Sequence, residues 1–274
     1  MNIRKVYGLF FSPTGNTETV VKTCTNQTGK ELNVTIEYVD FTSPQQRNME
    51  YSFSSDDFII IGIPVYAGRI PNKLLPFIQT KLKGNKTLVM PVVTYGNRSF
   101  DNALKELSNE LTAHGFYSIA ALAVPCEHAF SSQIATNRPN KDDLKCLESF
   151  VEEVVMKLKT SKNLPASLSI PGDDIIDAYY TPLGIDGKPA KFLKAKPKTK
   201  VESCTSCGIC ANNCPMGAIS FDNFIDVPGT CIKCQACIKK CPTHAKYFDD
   251  EAFLSHVKML EQNYKRRLDI QCFY

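Results

Sequence analysis

Apolar and polar residues follow two rhythms over the first 160 positions. Residues 3–11 form an apolar run, and residues 16–29 carry helix-like spacing that ends at Gly29. Residues 33–41 alternate, with Val34, Ile36 and Tyr38 against Thr35 and Glu37, the pattern of a half-exposed strand at a sheet edge. Residues 57–65 are nearly continuous apolar, which predicts a strand buried on both faces. Residues 71–82 read as helix, 86–94 as an apolar strand, 99–114 as an amphipathic helix, 116–125 as a last strand and 141–160 as a last helix. Five strands alternating with helices predict an α/β fold, a doubly wound parallel five-stranded sheet covered on both sides. Pro91 falls inside the fourth strand, where it has no N–H to give the ladder, so a bulge or strand end is expected there.

The rhythm stops after the last helix. Residues 161–203 hold Pro165, Pro171, Pro182, Pro189 and Pro197, with six lysines between 188 and 200 and Asp186 as the nearby acid. This is read as a linker partly wrapped on the first domain. Its lysines are read as a solvated stretch, a docking surface for an acidic redox partner being the less favoured alternative. Residues 204–248 are an internal repeat. Phe253, Val257, Leu260 and Tyr264 then recur at helical spacing. The expected division is a first domain at 1–162, a linker at 163–195, a small domain at 196–250 and a C-terminal helix at 251–274.

The repeat carries the chemistry. Cys204, Cys207, Cys210 and Cys214 precede Pro215, and Cys231, Cys234, Cys237 and Cys241 precede Pro242. Each run places three thiolates in one compact loop, enough for three irons of a cube, and the fourth ligand comes from elsewhere. The proline after each fourth cysteine blocks helix continuation. Structural zinc sites use two separated C-x2-C pairs instead. Two matching copies of C-x2-C-x2-C-x3-C-P resemble bacterial-type 2[4Fe–4S] ferredoxins over about 45 residues. The resemblance implies a small α+β fold with pseudo-twofold symmetry, two [4Fe–4S] clusters, and a fourth ligand exchanged between runs. One set is then Cys204, Cys207, Cys210 and Cys241, and the other Cys231, Cys234, Cys237 and Cys214. Lys246 stands where that family usually has an apolar residue, and exposure is the expectation favoured over an effect on a cluster's potential.

A second motif lies at the first strand's end. Ser12-Pro13-Thr14-Gly15-Asn16-Thr17 joins strand to helix, a junction whose N–H groups and hydroxyls suit a phosphate. It lacks the lysine of nucleotide-hydrolase loops and the G-x-G-x-x-G of dinucleotide folds. A plain helix cap by Thr14 or Asn16 is the competing reading. Two further loops follow predicted strands, one with Pro64, Val65, Tyr66, Ala67 and Gly68, the other with Thr94, Tyr95, Gly96 and Asn97. Ser12 to Thr17 resembles the FMN phosphate loop of flavodoxins, and the likeness extends over residues 3–160. It implies FMN held by Ser12, Thr14, Gly15, Asn16, Thr17 and the two further loops. Tyr66 and Tyr95 are the candidates in these loops to stack on the ring, and the chain has no Trp, which many flavodoxins use on one face. Together the two halves resemble flavodoxin–ferredoxin fusions.

Composition adjusts this reading. Hydrophobic residues at 43% and charged residues at 22% describe a globular chain. A net charge of +4 is no argument for nucleic acid. Two clusters, each carrying about two negative charges with its thiolates, would bring the holoprotein near neutral. The apolar run at residues 6–11 is too short for a signal peptide or membrane span, so no membrane association is expected. Of 12 cysteines, Cys24, Cys126, Cys146 and Cys272 match no ligand spacing and are expected in the core. Eight in metal-ligand spacing point to a reducing cytoplasm. Cys126 and His128 follow the fifth strand near the expected flavin, but a Cys–His nucleophile is disfavoured because no orienting group accompanies it. His114 reads as an ordinary helix-end residue, and His244 and His256 as surface residues.

The leading expectation is an electron carrier between FMN, two [4Fe–4S] clusters and redox partner proteins, with no catalytic acid or base. One alternative is a flavin-dependent reductase of a small substrate, fed by the clusters and marked by a pocket over the flavin. Another is a cluster-binding redox sensor without flavin.

Overall fold

The structure is a computed structural model that describes residues 2–161 and 168–274. The expected boundary at 162/163 and Pro165 lie outside the described residues. The first unit runs β1 (Lys5–Phe10), α1 (Asn16–Leu32), β2 (Thr35–Asp40), α2 (Pro44–Arg47), β3 (Tyr51–Phe53), β4 (Asp57–Pro64), α3 (Leu75–Lys81), β5 (Leu82–Gly84), β6 (Thr87–Tyr95), α4 (Ala103–Ala113), β7 (Phe116–Ser118), β8 (Ala121–Pro125) and α5 (Lys141–Thr160). The second runs β9 (Lys198–Thr199), a single 3-10 turn (Val201–Ser203), α6 (Ile209–Asn212), α7 (Ala236–Lys239) and β10 (Lys246–Tyr247), followed by α8 (Glu251–Asn263) and β11 (Gln271–Phe273).

The main sheet has the order β11-β8-β6-β4-β1-β2, and every pairing except β11 with β8 is parallel. Read from β2 to β8, the five long parallel strands have the 2-1-3-4-5 order of flavodoxin-like folds, whose ligands sit outside the strands' C-terminal ends at the switch point. The near-continuous apolar runs are explained by burial on both faces. In β4, Ile59, Ile61 and Ile63 enter the core under α3 and α4, while Phe58 and Ile60 enter the core under α1 and α5. The alternating run at Thr35–Asp40 is the exposed edge strand, as its pattern predicts.

Pro91 does not bulge its own strand. β6 continues through it, with Pro91 opposite Ile61. Val89 and Tyr95 accept hydrogen bonds from Ile119 and Cys126 on one side, while Thr94 accepts from Val65 on the other. The odd-numbered residues therefore face the neighbouring strand at 116–125, and that strand breaks between β7 and β8 where Pro91 offers no donor. The expected strand end falls in the neighbour.

The C-terminus departs from a single helix over 251–274. α8 ends at Asn263, and the chain returns to the first sheet as the antiparallel edge β11, Cys272 opposite Leu122. Arg138 and Asp143, both nearly inaccessible, lock this return. Arg138 binds the Asp143 carboxylate at 2.7 and 3.0 Å and also donates to the Leu268 carbonyl, and Arg267 donates to Asp143 at 3.0 Å. Asp143→Ala would strand Arg138 as a buried charge and is expected to cost about 3–5 kcal/mol, read as a lower urea midpoint. Burial works against the Asp143 charge, but Arg138, the Asn140 N–H and Arg267 outweigh it and hold its pKa below the ordinary value. The pair's contribution is therefore complete above the unfolded carboxyl pKa of about 3.9 and disappears as pH falls through the lower folded value. The wild-type midpoint should lose this increment only in acid, and an Asp143→Asn variant should not lose it.

The segment between the units wraps as expected. Tyr179 donates to the Ile70 carbonyl at 2.8 Å, and the Tyr180 N–H to Ala67 at 2.9 Å. The units also touch directly. Arg47 donates to the Phe41 and Pro215 carbonyls, and Lys239 pairs with Glu127 at 3.0 Å.

Candidate functional site

The helix after β1 begins unusually open. Gly15, at φ 98, is its N-cap and makes no side-chain cap bond. The Ser12 hydroxyl accepts from the Glu18 N–H at 2.9 Å, and Thr19 is the first residue to bond back along the helix, to Gly15. A Cβ at Gly15 would meet nothing within 4 Å. The helix's positive end therefore faces open space, which is the geometry of an anion seat. The Thr17 hydroxyl meets that of Thr94 at 2.7 Å, and Asn16 donates to the Glu127 carbonyl at 3.1 Å. These bonds tie three strand-end loops around one opening.

That opening is a cavity of about 570 Å³. Thr14, Asn16, Thr17, Pro64, Val65, Tyr66, Ala67, Gly68, Thr94, Tyr95 and Gly96 line it, so eleven predicted site residues converge. Three do not. Ser12 and Gly15 shape the helix start behind the wall, and Asn97 instead donates to the Tyr264 and Arg266 carbonyls at 2.8 and 2.7 Å, clamping the chain after α8. Tyr95 packs into the core on Phe100. Tyr66 sits against the second unit, where burial and the neighbouring Cys234 and Cys231 push its phenol well above the usual range.

Several wall residues come from places the motifs did not mark. His128 lies on Gly96, where any Cβ would meet its ring at 2.1 Å. Its Nδ1 accepts from the Phe130 N–H at 3.0 Å, and burial pushes its pKa down to about 3, so it is neutral with Nε2 carrying the proton. His256 is not on the surface. It is buried in the cavity wall and its Nδ1 donates to the Leu183 carbonyl at 2.8 Å. Cys126 is buried with its thiol pushed up by desolvation, which removes it as a nucleophile. Cys24 is buried as expected, Cys272 is half-buried, and Cys146 is exposed because its position on α5 faces outward. His244 is exposed, and His114 bonds its ring to Glu110 at a helix end.

The cysteine runs enclose two smaller cavities. Cys204, Cys207, Cys210 and Cys241 line one, and Cys214, Cys231, Cys234 and Cys237 line the other. The two loops repeat their backbone at an offset of 27 residues: Ser206 and Lys233, Gly208 and Gln235, and Gly217 and His244 all have positive φ. Amide N–H groups of Ala245, Ala218 and Lys233 point at the sulfurs of Cys241, Cys214 and Cys231 at 3.3, 3.3 and 3.4 Å. Among the described residues no three His, Cys, Asp or Glu side chains converge on a single-ion point. The four cysteines of each set instead line a small cavity, where each thiolate could take one iron of a cluster. Lys246 departs from its expected exposure. It is buried in the wall of the first cavity, its ammonium donating to Thr199 and the Phe224 carbonyl, because β10 turns it inward beside β9.

Residues 203–245 match the model of the 4Fe-4S dicluster domain. No curated protein matches the chain. Similar solved structures include a flavodoxin from the domain Archaea (13% identity, 57% of this chain, 99% of that one, TM-score 0.42) and a flavodoxin from Streptococcus pneumonia TIGR4 (18%, 56%, 99%, 0.40). Oxidised flavodoxin 2 from Bacillus cereus is a third (13%, 56%, 99%, 0.41). The chain joins a flavodoxin-like sheet to a dicluster domain. Among the described residues no helix is long and apolar enough to cross a membrane.

Proposed function

We propose that the chain is an electron-transfer iron–sulfur flavoprotein, with FMN in the large cavity and a [4Fe–4S] cluster in each cysteine cavity. The observation that carries this reading is a shared wall. Cys231 and Cys234 line both the large cavity and one cysteine cavity. Cys214, Cys231, Cys234 and Cys237 would hold the cluster next to the flavin, and Cys204, Cys207, Cys210 and Cys241 the distal one. Bound FMN exchanges one or two electrons and each cluster one, so their union links two-electron and one-electron chemistry.

The protein's own residues divide the work. The α1 N-terminus and Thr14, Asn16 and Thr17 would seat the phosphate, while Tyr66 lines the cavity beside Cys231 and Cys234. Phe130, Phe192 and Leu260 limit water around the ring. The amide N–H groups aimed at Cys214, Cys231 and Cys241 favour the thiolate forms that iron needs. Cys207 is exposed, which makes the distal end the exit toward redox partner proteins. All 12 cysteines are free of disulfides, in keeping with a reducing compartment such as the cytoplasm. Anaerobic isolation should yield about eight iron atoms and one FMN per chain. Fewer than two clusters, or no flavin after reconstitution, would defeat the reading, and the flavin-free outcome would favour a cluster-only sensor.

The size of the large cavity favours a second reading, a flavin-dependent reductase of a small substrate. Faster turnover with a defined organic compound than with artificial dyes would select it. His128, with its low pKa, is not poised as a general acid or base near neutrality.

A further inference from the structure

Lys233 is the residue whose presence the fold alone does not explain. Its counterpart in the first repeat, Ser206, has the same left-handed backbone, φ 52 against φ 55, and is exposed. Left-handed backbone disfavours a long side chain over glycine, so nothing local asks for lysine here. Yet Lys233 is buried, 9% exposed, and lines both the large cavity and the proximal cysteine cavity. Its ammonium is held by neutral acceptors, the carbonyls of Leu193 and, at 3.3 Å, Cys231. Among the described residues it makes no salt bridge. Burying an ammonium without a contacting counter-charge is costly. Asp250 acts on it electrostatically but makes no ion pair with it, and the further negative charge available is that of the groups the two cavities would hold.

We propose that Lys233 is a shared electrostatic element, one cation that stabilises the reduced states of both the flavin and the proximal cluster. The inference rests on the cofactor assignment above. Reduction adds negative charge to each centre, and a cation in their common wall favours it in both. The two centres are then tuned together, while the distal cavity is not lined by Lys233 and its cluster is expected to feel it least. Lys246 provides the contrast, because it lines the distal cavity and not the large one. Lys233 is a tuning residue that takes no part in bond changes.

The test is anaerobic potentiometry on the holoprotein, following flavin by absorbance and each cluster by its electron spin signal. The Cys234→Ser and Cys207→Ser variants assign the signals to the proximal and distal sets. In Lys233→Met the reduction equilibrium of the proximal cluster and of the flavin should each fall about tenfold, about 59 mV for a one-electron couple. The distal cluster should hold its value, and Lys233→Arg should recover most of both shifts. A shift confined to one centre, equal shifts in all three, or failure of arginine to rescue would overturn the proposal. Should Lys233→Met not fold, Lys233→Gln and the arginine variant carry the same comparison. Wild-type protein lacking flavin or one cluster would instead defeat the cofactor assignment, a result read from iron and flavin content before any variant is made.

Discussion

Cys234→Ala is expected to cut the iron content from about eight to about four atoms per chain and to disconnect the flavin from the distal cluster. Cys234 lines the proximal cysteine cavity and the large cavity at once. Losing it removes the centre between the other two while leaving the phosphate seat, formed by α1, intact. After photoreduction of the flavin, the distal cluster should stay oxidised long after the wild-type signal has reached its plateau. Cys207→Ala offers the complementary case. It opens the distal set, also halves the iron, and should leave flavin-to-proximal transfer at the wild-type rate with flavin retained. Wild-type transfer to the distal cluster in Cys234→Ala would show that the order of centres is wrong. Loss of flavin and all iron in either variant would show that the two units do not hold their cofactors independently.

Thr14→Glu should empty the flavin site and leave the clusters in place. Thr14 lies in the cavity wall at the open end of α1. A carboxylate there would face the phosphate of the flavin. Two unit charges about 4 Å apart at an effective dielectric of 20 repel by about 4 kcal/mol, which corresponds to several hundredfold weaker binding. Titration of FMN into flavin-stripped protein measures this directly, with iron content as the control. Thr14→Ser, which retains the hydroxyl, should bind within a few-fold of wild type. Unchanged affinity in Thr14→Glu would move the phosphate away from the α1 end.

The two cysteine runs were legible in the sequence because ligation by three thiolates of one loop is short-range chemistry, whereas the fourth ligand of each set followed only from the resemblance to ferredoxins. Three thiolates spaced three residues apart in one loop announce themselves without any fold. The same holds for Ser12 to Thr17, since a polar loop between an apolar run and an amphipathic segment is a strand-to-helix junction wherever it occurs. Asn97 is the one member of its loop that does not line the cavity, because tertiary packing spends its amide on the carbonyls of Tyr264 and Arg266. Lys246 and His256 were misplaced on the surface for a related reason. Charged and polar side chains are mostly exposed, and only a packed neighbour with free acceptors, such as Thr199 or the Leu183 carbonyl, brings them inside.

What the chain's linear pattern determined by itself is the parts: a parallel α/β sheet from apolar runs buried on both faces, a polar strand-to-helix loop after the first strand, and two runs of four cysteines. What only the tertiary structure decided is their adjacency. Cys231, Lys233 and Cys234 meet Tyr66 across more than 160 residues of chain, and β11 closes the sheet from the far C-terminus. Spacing encodes contacts within a few residues, because local backbone geometry sets them. A wall shared by distant segments depends on which surfaces bury one another, and that balance is struck only when the whole chain packs.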